Sequence, residues 1–169
     1  NTLLAFIQVL RKFEPMAVND EFEEEAATVL GYMLFEYSRL DMELGLFLVW
    51  SDDGKKLGSL TKKLNESNFY KRLLLLEKLV QKKYLGTPTA NIYGSWLLDA
   101  HAARSIRNQL FHGRWGFIPQ QQQVANVVGL PTSAEQAETR YSISQLEDLL
   151  DKMRELRFRL SDLRQSCPV

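Results

Sequence analysis

Between residues 22 and 48 apolar side chains return every three or four positions: Phe22, Ala26, Val29, Leu30, Met33, Leu34, Tyr37, Leu40, Leu44, Phe47 and Leu48. That period places them on one stripe of a long amphipathic helix. The carboxylates of Glu21–Glu25 suit the positive end of its dipole, and Asn19 or Asp20 stands where a cap belongs. Ser51-Asp-Asp-Gly54 predicts its end. Helical spacing resumes in two shorter pieces, from about Ser59 to Asn65 and from about Asn68 to Tyr84. The segment Gly86-Thr-Pro-Thr89 reads as a loop, with Thr87 as a cap and Pro88 in the first turn of the next helix. That helix carries Ile92, Trp96, Leu97, Ala100, Ala103 and Ile106, and Gly113 stops it.

Beyond Gly113 the period changes. Trp115–Ile118, Val124–Val128 and Arg140–Ile143 read as short strands between Pro, Gln and Gly-Leu-Pro punctuation. A last helix begins at Ser142 or Ser144, since Ser142 with Gln145 and Ser144 with Glu147 both fit a capping box. Leu146, Leu149, Leu150, Met153, Leu156, Leu160 and Leu163 give it one apolar stripe. The order predicts a mainly α fold, a helical bundle with a small β-hairpin inserted before the last helix, as one domain over residues 1–169. Leu3–Leu10 reads as a further short helix. Trp50, Trp96 and the aromatic positions of the first long helix are expected in the core, and Trp115 as a core or interface anchor.

A chain of 169 residues with 45% hydrophobic and 25% charged residues can bury one proper core. No apolar stretch is long enough to cross a bilayer. The single cysteine, Cys167, excludes an intrachain disulfide and a cysteine zinc set, which fits a reducing compartment and a cytoplasmic location. A net charge of zero conceals a split. Glu14–Glu43 holds nine acids against Arg39, whereas Lys55–Lys83 holds nine bases against Glu66 and Glu77. The basic run suits a phosphate backbone; it equally suits the acidic run of the same chain or of a second subunit.

The residues with the most chemistry lie in His101-Ala-Ala-Arg104-Ser-Ile-Arg107-Asn108-Gln-Leu-Phe-His112-Gly-Arg114-Trp115. With about 100° per residue, His101, Arg104, Asn108 and His112 fall within roughly 80° of one another, and Ala103, Ile106 and Leu110 face elsewhere. A polar stripe on an otherwise apolar helix has to meet water, a ligand or another subunit. In the last turn His112 gains from the negative end of the dipole, and a histidine titrates near working pH, so it can take or give a proton. Arg107 and His112 are about 140° apart on an ideal helix, so Arg104 is the better aligned arginine.

Arg107-Asn108-x-x-x-His112 resembles the signature of HEPN domains, in which an arginine and an adjacent polar residue precede a histidine. His112-Gly113-Arg114-Trp115 is similar to the continuation in many bacterial members. The resemblance implies metal-independent cleavage of RNA, without a cofactor, in a cleft between two copies of a homodimer. His112 would then be the general base or acid for attack of the ribose 2′-hydroxyl. Arg107 would stabilise charge on the phosphate, Asn108 would orient the histidine or the phosphate, and the product would end in a 2′,3′-cyclic phosphate. Arg104, His101 and Arg114 are the accompanying substrate-binding candidates. Such nucleases serve as toxins paired with an antitoxin protein, or as defence effectors. Other members of the group are non-catalytic modules that bind a partner protein or nucleotide, and the same polar face suits that role. A Gly-rich phosphate loop and histidines paired at i, i+4 for a metal are both missing from the sequence.

Overall fold

The computed structural model describes residues 20–132 and 136–169. The expected helix at Leu3–Leu10 and the cap at Asn19 lie outside the described residues. Helix α1 (Asp20–Val49) is followed by α2 (Leu57–Asn65), α3 (Phe69–Tyr84) and α4 (Pro88–His112). Strands β1 (Arg114–Ile118), β2 (Gln123–Val128) and β3 (Ala137–Tyr141) then precede α5 (Ile143–Ser166). The molecule is mainly helical, with a small antiparallel sheet ahead of the last helix. None of the described helices is long and apolar enough to cross a membrane.

The expected hairpin is β1–β2, and β3 adds a third strand in the order β1-β2-β3. In this register Trp115 faces Asn126, and Asn126 faces Thr139. The third strand ends two residues before the expected Ile143, because Ser142 turns the chain into α5. Its hydroxyl accepts from the Gln145 N–H while the Gln145 side chain accepts from the Ser142 N–H, so the box is built on Ser142 rather than Ser144. Asn68 caps α3 by accepting from the Lys71 N–H at 3.0 Å. Thr87 does not cap α4; its hydroxyl donates backwards to the Tyr84 carbonyl at 2.8 Å, and Pro88 alone marks the start.

Two apolar clusters fill the interior. One joins the second half of α1 to α3, α4 and the end of α5 through Leu40, Leu44, Leu73, Leu76, Trp96 and Leu160. The other joins the first half of α1 to the sheet and the start of α5 through Phe22, Met33, Val124, Leu146 and Met153. Each fully buried leucine contributes about 1.5–3 kcal/mol. Trp96 is fully buried, and its indole N–H donates to the Leu156 carbonyl at 2.9 Å, tying α4 to α5. Tyr93 and Tyr84 donate to the carbonyls of Cys167 and Pro168, which docks the C-terminal residues onto α3 and α4.

Several apolar positions depart from expectation. Trp50 is 54% exposed, since α1 has already ended and the chain enters a turn with positive φ at Asp52, Asp53 and Gly54. Its ring lies over Gly54, where a Cβ would collide with it. Tyr32, Leu34 and Phe35 of α1 and Ile92 of α4 are also exposed. A helix with one partner stripe buries roughly half its circumference, and these residues lie beyond that arc.

Candidate functional site

The second half of α4 runs between both clusters. Ala103 is buried, and Ile106 and Leu110 pack against the cluster that holds Val124 and Leu146. With those residues directed inward, the polar positions of the motif turn towards α1, α3 and solvent.

Arg104 and His101 meet α3 at one residue, Tyr70. The Arg104 guanidinium lies over the Tyr70 ring at 4.9 Å, and the His101 ring meets it edge-on at 5.9 Å. Arg107 turns towards α1. Its guanidinium lies 4.2 Å from the Phe111 ring centre and 5.6 Å from that of Tyr37. Its Nη1 donates to the Asn108 side-chain oxygen at 3.4 Å, a long and weak bond. Stacking occupies the flat faces of a guanidinium and leaves the N–H groups at its edge free to meet an anion. Arg104 and Arg107 form no ion pair with a described carboxylate, and the Nε of each is buried without a partner.

A third arginine is differently employed. Arg72 of α3 donates to the Asp41 backbone oxygen at 2.8 Å, to its carboxylate at 2.9 Å and to the Leu64 carbonyl at 3.0 Å. It binds α3 to α1 and α2. Burial pushes the Asp41 carboxyl above its ordinary value, against the pull of Arg72 and Arg107. Burial, with the Asp41 charge beside it, pushes the Tyr37 hydroxyl well above the usual tyrosine range, while Arg107, Arg104 and Arg72 pull the other way. Tyr37 therefore stays a neutral aromatic surface. Three guanidiniums and one carboxylate share this corner, which leaves it positively charged.

The motif's remaining members stand apart. His112 is exposed in the last turn of α4 and has no hydrogen-bond, ion-pair or ring partner among the described residues. Arg114 is exposed in β1 and bonds Gln136 instead of any residue of the motif. The structure thus joins His101 with Arg104, and Arg107 with Asn108, but joins His112 and Arg114 to neither pair. Two grooves lie between the first turns of α1 and α5, lined by acids such as Glu21, Glu25, Glu147 and Asp148, and neither includes a motif residue. Among the described residues no three His, Cys, Asp or Glu side chains group as a metal-ligand set.

Motif spacing alone does not reveal what holds the end of α4. The carbonyls of a final helical turn lack partners within the helix. Here the Gly113 N–H and the Asn126 side chain both donate to the Gln109 carbonyl, at 2.9 and 3.1 Å, and the Trp115 indole donates to that of Leu110 at 3.1 Å. Tyr141 donates to the Gln109 side chain at 3.0 Å. Asn126 is 1% exposed, and a Cβ at position 113 would collide with its amide. The sheet is therefore the cap of the motif helix, and it fixes the turn that carries His112. A lone asparagine within an apolar β2 is the sequence signal for this role.

No protein-family model matches this chain, and the curated proteins and solved structures likewise give no match.

Proposed function

We propose that this chain is a metal-independent endoribonuclease of the HEPN type, working as a homodimer and serving as a toxin or defence effector held in check by a partner protein. One observation carries the proposal. Arg104 and Arg107 are seated on aromatic rings and matched to no described carboxylate, on the same helix as an exposed His112. A structural arginine is usually matched to a carboxylate, as Arg72 is to Asp41. An arginine kept ready for a phosphate is not.

In this reaction Arg107 holds the scissile phosphate and offsets charge that grows on its oxygens. One His112 takes the proton of the 2′-hydroxyl as that oxygen attacks phosphorus. The second copy's His112, protonated, gives a proton to the departing 5′ oxygen. The products are a 2′,3′-cyclic phosphate and a free 5′-hydroxyl. Asn108, whose side-chain oxygen lies 3.4 Å from the Arg107 guanidinium, orients the phosphate or the histidine. No partner among the described residues orients His112, which fits a cleft completed by a second copy.

The same observation favours a second reading, a non-catalytic module that binds a nucleotide or partner protein, because an unoriented histidine is a poor base on its own. Cleavage of a mixed RNA in EDTA separates the two. The nuclease reading expects cutting by the wild type and loss of cutting in His112→Ala and Arg107→Ala. Absence of cutting by a folded dimer selects the binding module.

A further inference from the structure

Tyr70 opens α3, one residue past the buried Phe69 and directly before Lys71. It remains 41% exposed although Arg104 lies over its ring and His101 meets its edge. Its hydroxyl has no hydrogen-bond partner among the described residues, so the ring is held by stacking alone. Lys71, Lys78 and Lys82 fall within about 40° of one another on α3, roughly 100° round the helix from Tyr70, and extend roughly 17 Å along it from the turn that carries Tyr70. All three are exposed and none forms an ion pair with a described carboxylate. Of the nine bases between Lys55 and Lys83, only Arg72 reaches the acids of α1, through Asp41. The lysines of this run are thus not consumed by the acidic helix of their own chain.

An aromatic ring with one guanidinium on its face and a lysine track beside it is the arrangement that holds single-stranded nucleic acid. The ring stacks on a base, whose flat face is common to all sequences, and the cations follow the phosphates. We propose that Tyr70 and Arg104 form a subsite for a single-stranded RNA: Tyr70 stacks one base, and Arg104 holds the phosphate next to the one bound by Arg107. The strand then continues along Lys71, Lys78 and Lys82. This inference rests on the RNA reading of the motif, and it adds a binding determinant that does no chemistry. Arg104 and Arg107 sit one helical turn apart, about 4.5 Å along the axis, close enough for neighbouring phosphates of one strand. Tyr70 is a positioning residue, because it touches the substrate away from the reacting atoms. It sets which strands are held, single rather than double, since a paired and stacked base cannot reach its face.

The test measures binding of a fluorescein-labelled, mixed-sequence single-stranded RNA of twelve nucleotides by anisotropy, using the full chain with His112→Ala so that the probe stays intact. Tyr70→Phe is expected to bind within about twofold of this parent, because the ring is kept. Tyr70→Leu, which retains apolar bulk under Arg104, and Tyr70→Ala are expected to bind roughly 5- to 100-fold more weakly, with the salt dependence unchanged. Arg104→Ala is expected to weaken binding and to lower the salt slope by about one phosphate contact. Circular dichroism melting confirms that each variant is folded. Parent-like affinity in both Tyr70→Leu and Tyr70→Ala overturns the subsite, whatever the wild type does to RNA. So does a parent that binds no RNA, the result expected if this face receives a protein. Loss of affinity at Tyr70 in a chain whose wild type cuts nothing keeps the subsite and removes the nuclease.

Discussion

Arg107 lays its charged plane against Phe111 and Tyr37, so its N–H edges are the surface it offers to a ligand. A lysine at this position keeps the charge but loses the plane and the fork. Arg107→Lys is therefore expected to lose about 10²- to 10³-fold in kcat/KM for RNA cleavage, close to Arg107→Ala. Kinetics of the two purified variants check this, and a lysine variant with a third or more of wild-type activity would show that only charge matters. The motif residues themselves were legible in the sequence, because a polar stripe within an apolar helix is visible from spacing alone. Their environment was not. Tyr37 and Tyr70 come from helices separated from the motif by tens of residues, and aromatic residues at helical spacing read as ordinary core. Tyr37 is indeed buried, yet it also forms one wall of the arginine site.

At the scale of elements, α4 ends in a turn whose carbonyls are satisfied by the sheet. Gly113→Ala would drive a Cβ into the buried Asn126 amide, and Asn126→Ala would remove one of the two donors to the Gln109 carbonyl. Each is expected to cost about 1–3 kcal/mol, or roughly 2–4 °C of melting midpoint per kcal/mol. Activity is expected to fall further than the population of folded protein does, since the disturbed turn carries His112. Thermal melts beside single-turnover cleavage check both parts, and an unchanged midpoint in both variants would remove the capping role. The bundle and the sheet were foreseeable from a period that shifts from 3.6 to 2 after Gly113. Periodicity puts the end of α1 within a residue of Val49; what it missed is Trp50, which continues the apolar stripe on paper but stands exposed in the turn that follows the helix. Thr87 likewise fits a cap by type, and only the backward bond to Tyr84 shows that it serves the preceding helix.

Across the whole molecule, α1 and α5 are joined by a charged network as well as by the core. Arg157 bridges Glu36 at 2.9 Å and Glu43 at 3.0 Å, and Glu36 also pairs with Arg39. Burial alone would raise the Glu36 carboxyl; the guanidiniums of Arg157 and Arg39 outweigh it and hold the group below its ordinary 4.5. A carboxyl depressed by folding stabilises the folded state above its ordinary range, and that contribution disappears as pH falls through the depressed value. Glu36→Gln is therefore expected to lose about 1–3 kcal/mol at pH 7, with the gap to wild type narrowing under acid. Denaturant titrations across pH check the sign, and a gap that widens in acid contradicts it.

On the face of α1 opposite its buried stripe, Phe35, Met42 and Leu46 are 59%, 56% and 44% exposed and share about 40° of the helix surface. An exposed apolar stripe is a liability on a monomer, so this face suits contact with another protein. Sedimentation is expected to give twice the chain mass for the wild type, as the proposed homodimer requires. A monomeric wild type would contradict the dimer.

The most direct test of the central claim is the chemistry of the cut ends. RNA is incubated with the protein in EDTA and the fragments are weighed by mass spectrometry, for wild type and for His112→Ala. The expected result is a 2′,3′-cyclic phosphate on one fragment and a 5′-hydroxyl on the other, from the wild type alone. Fragments carrying a 5′-phosphate, or equal cleavage by His112→Ala, would contradict the assignment of His112 and Arg107 to phosphodiester cleavage.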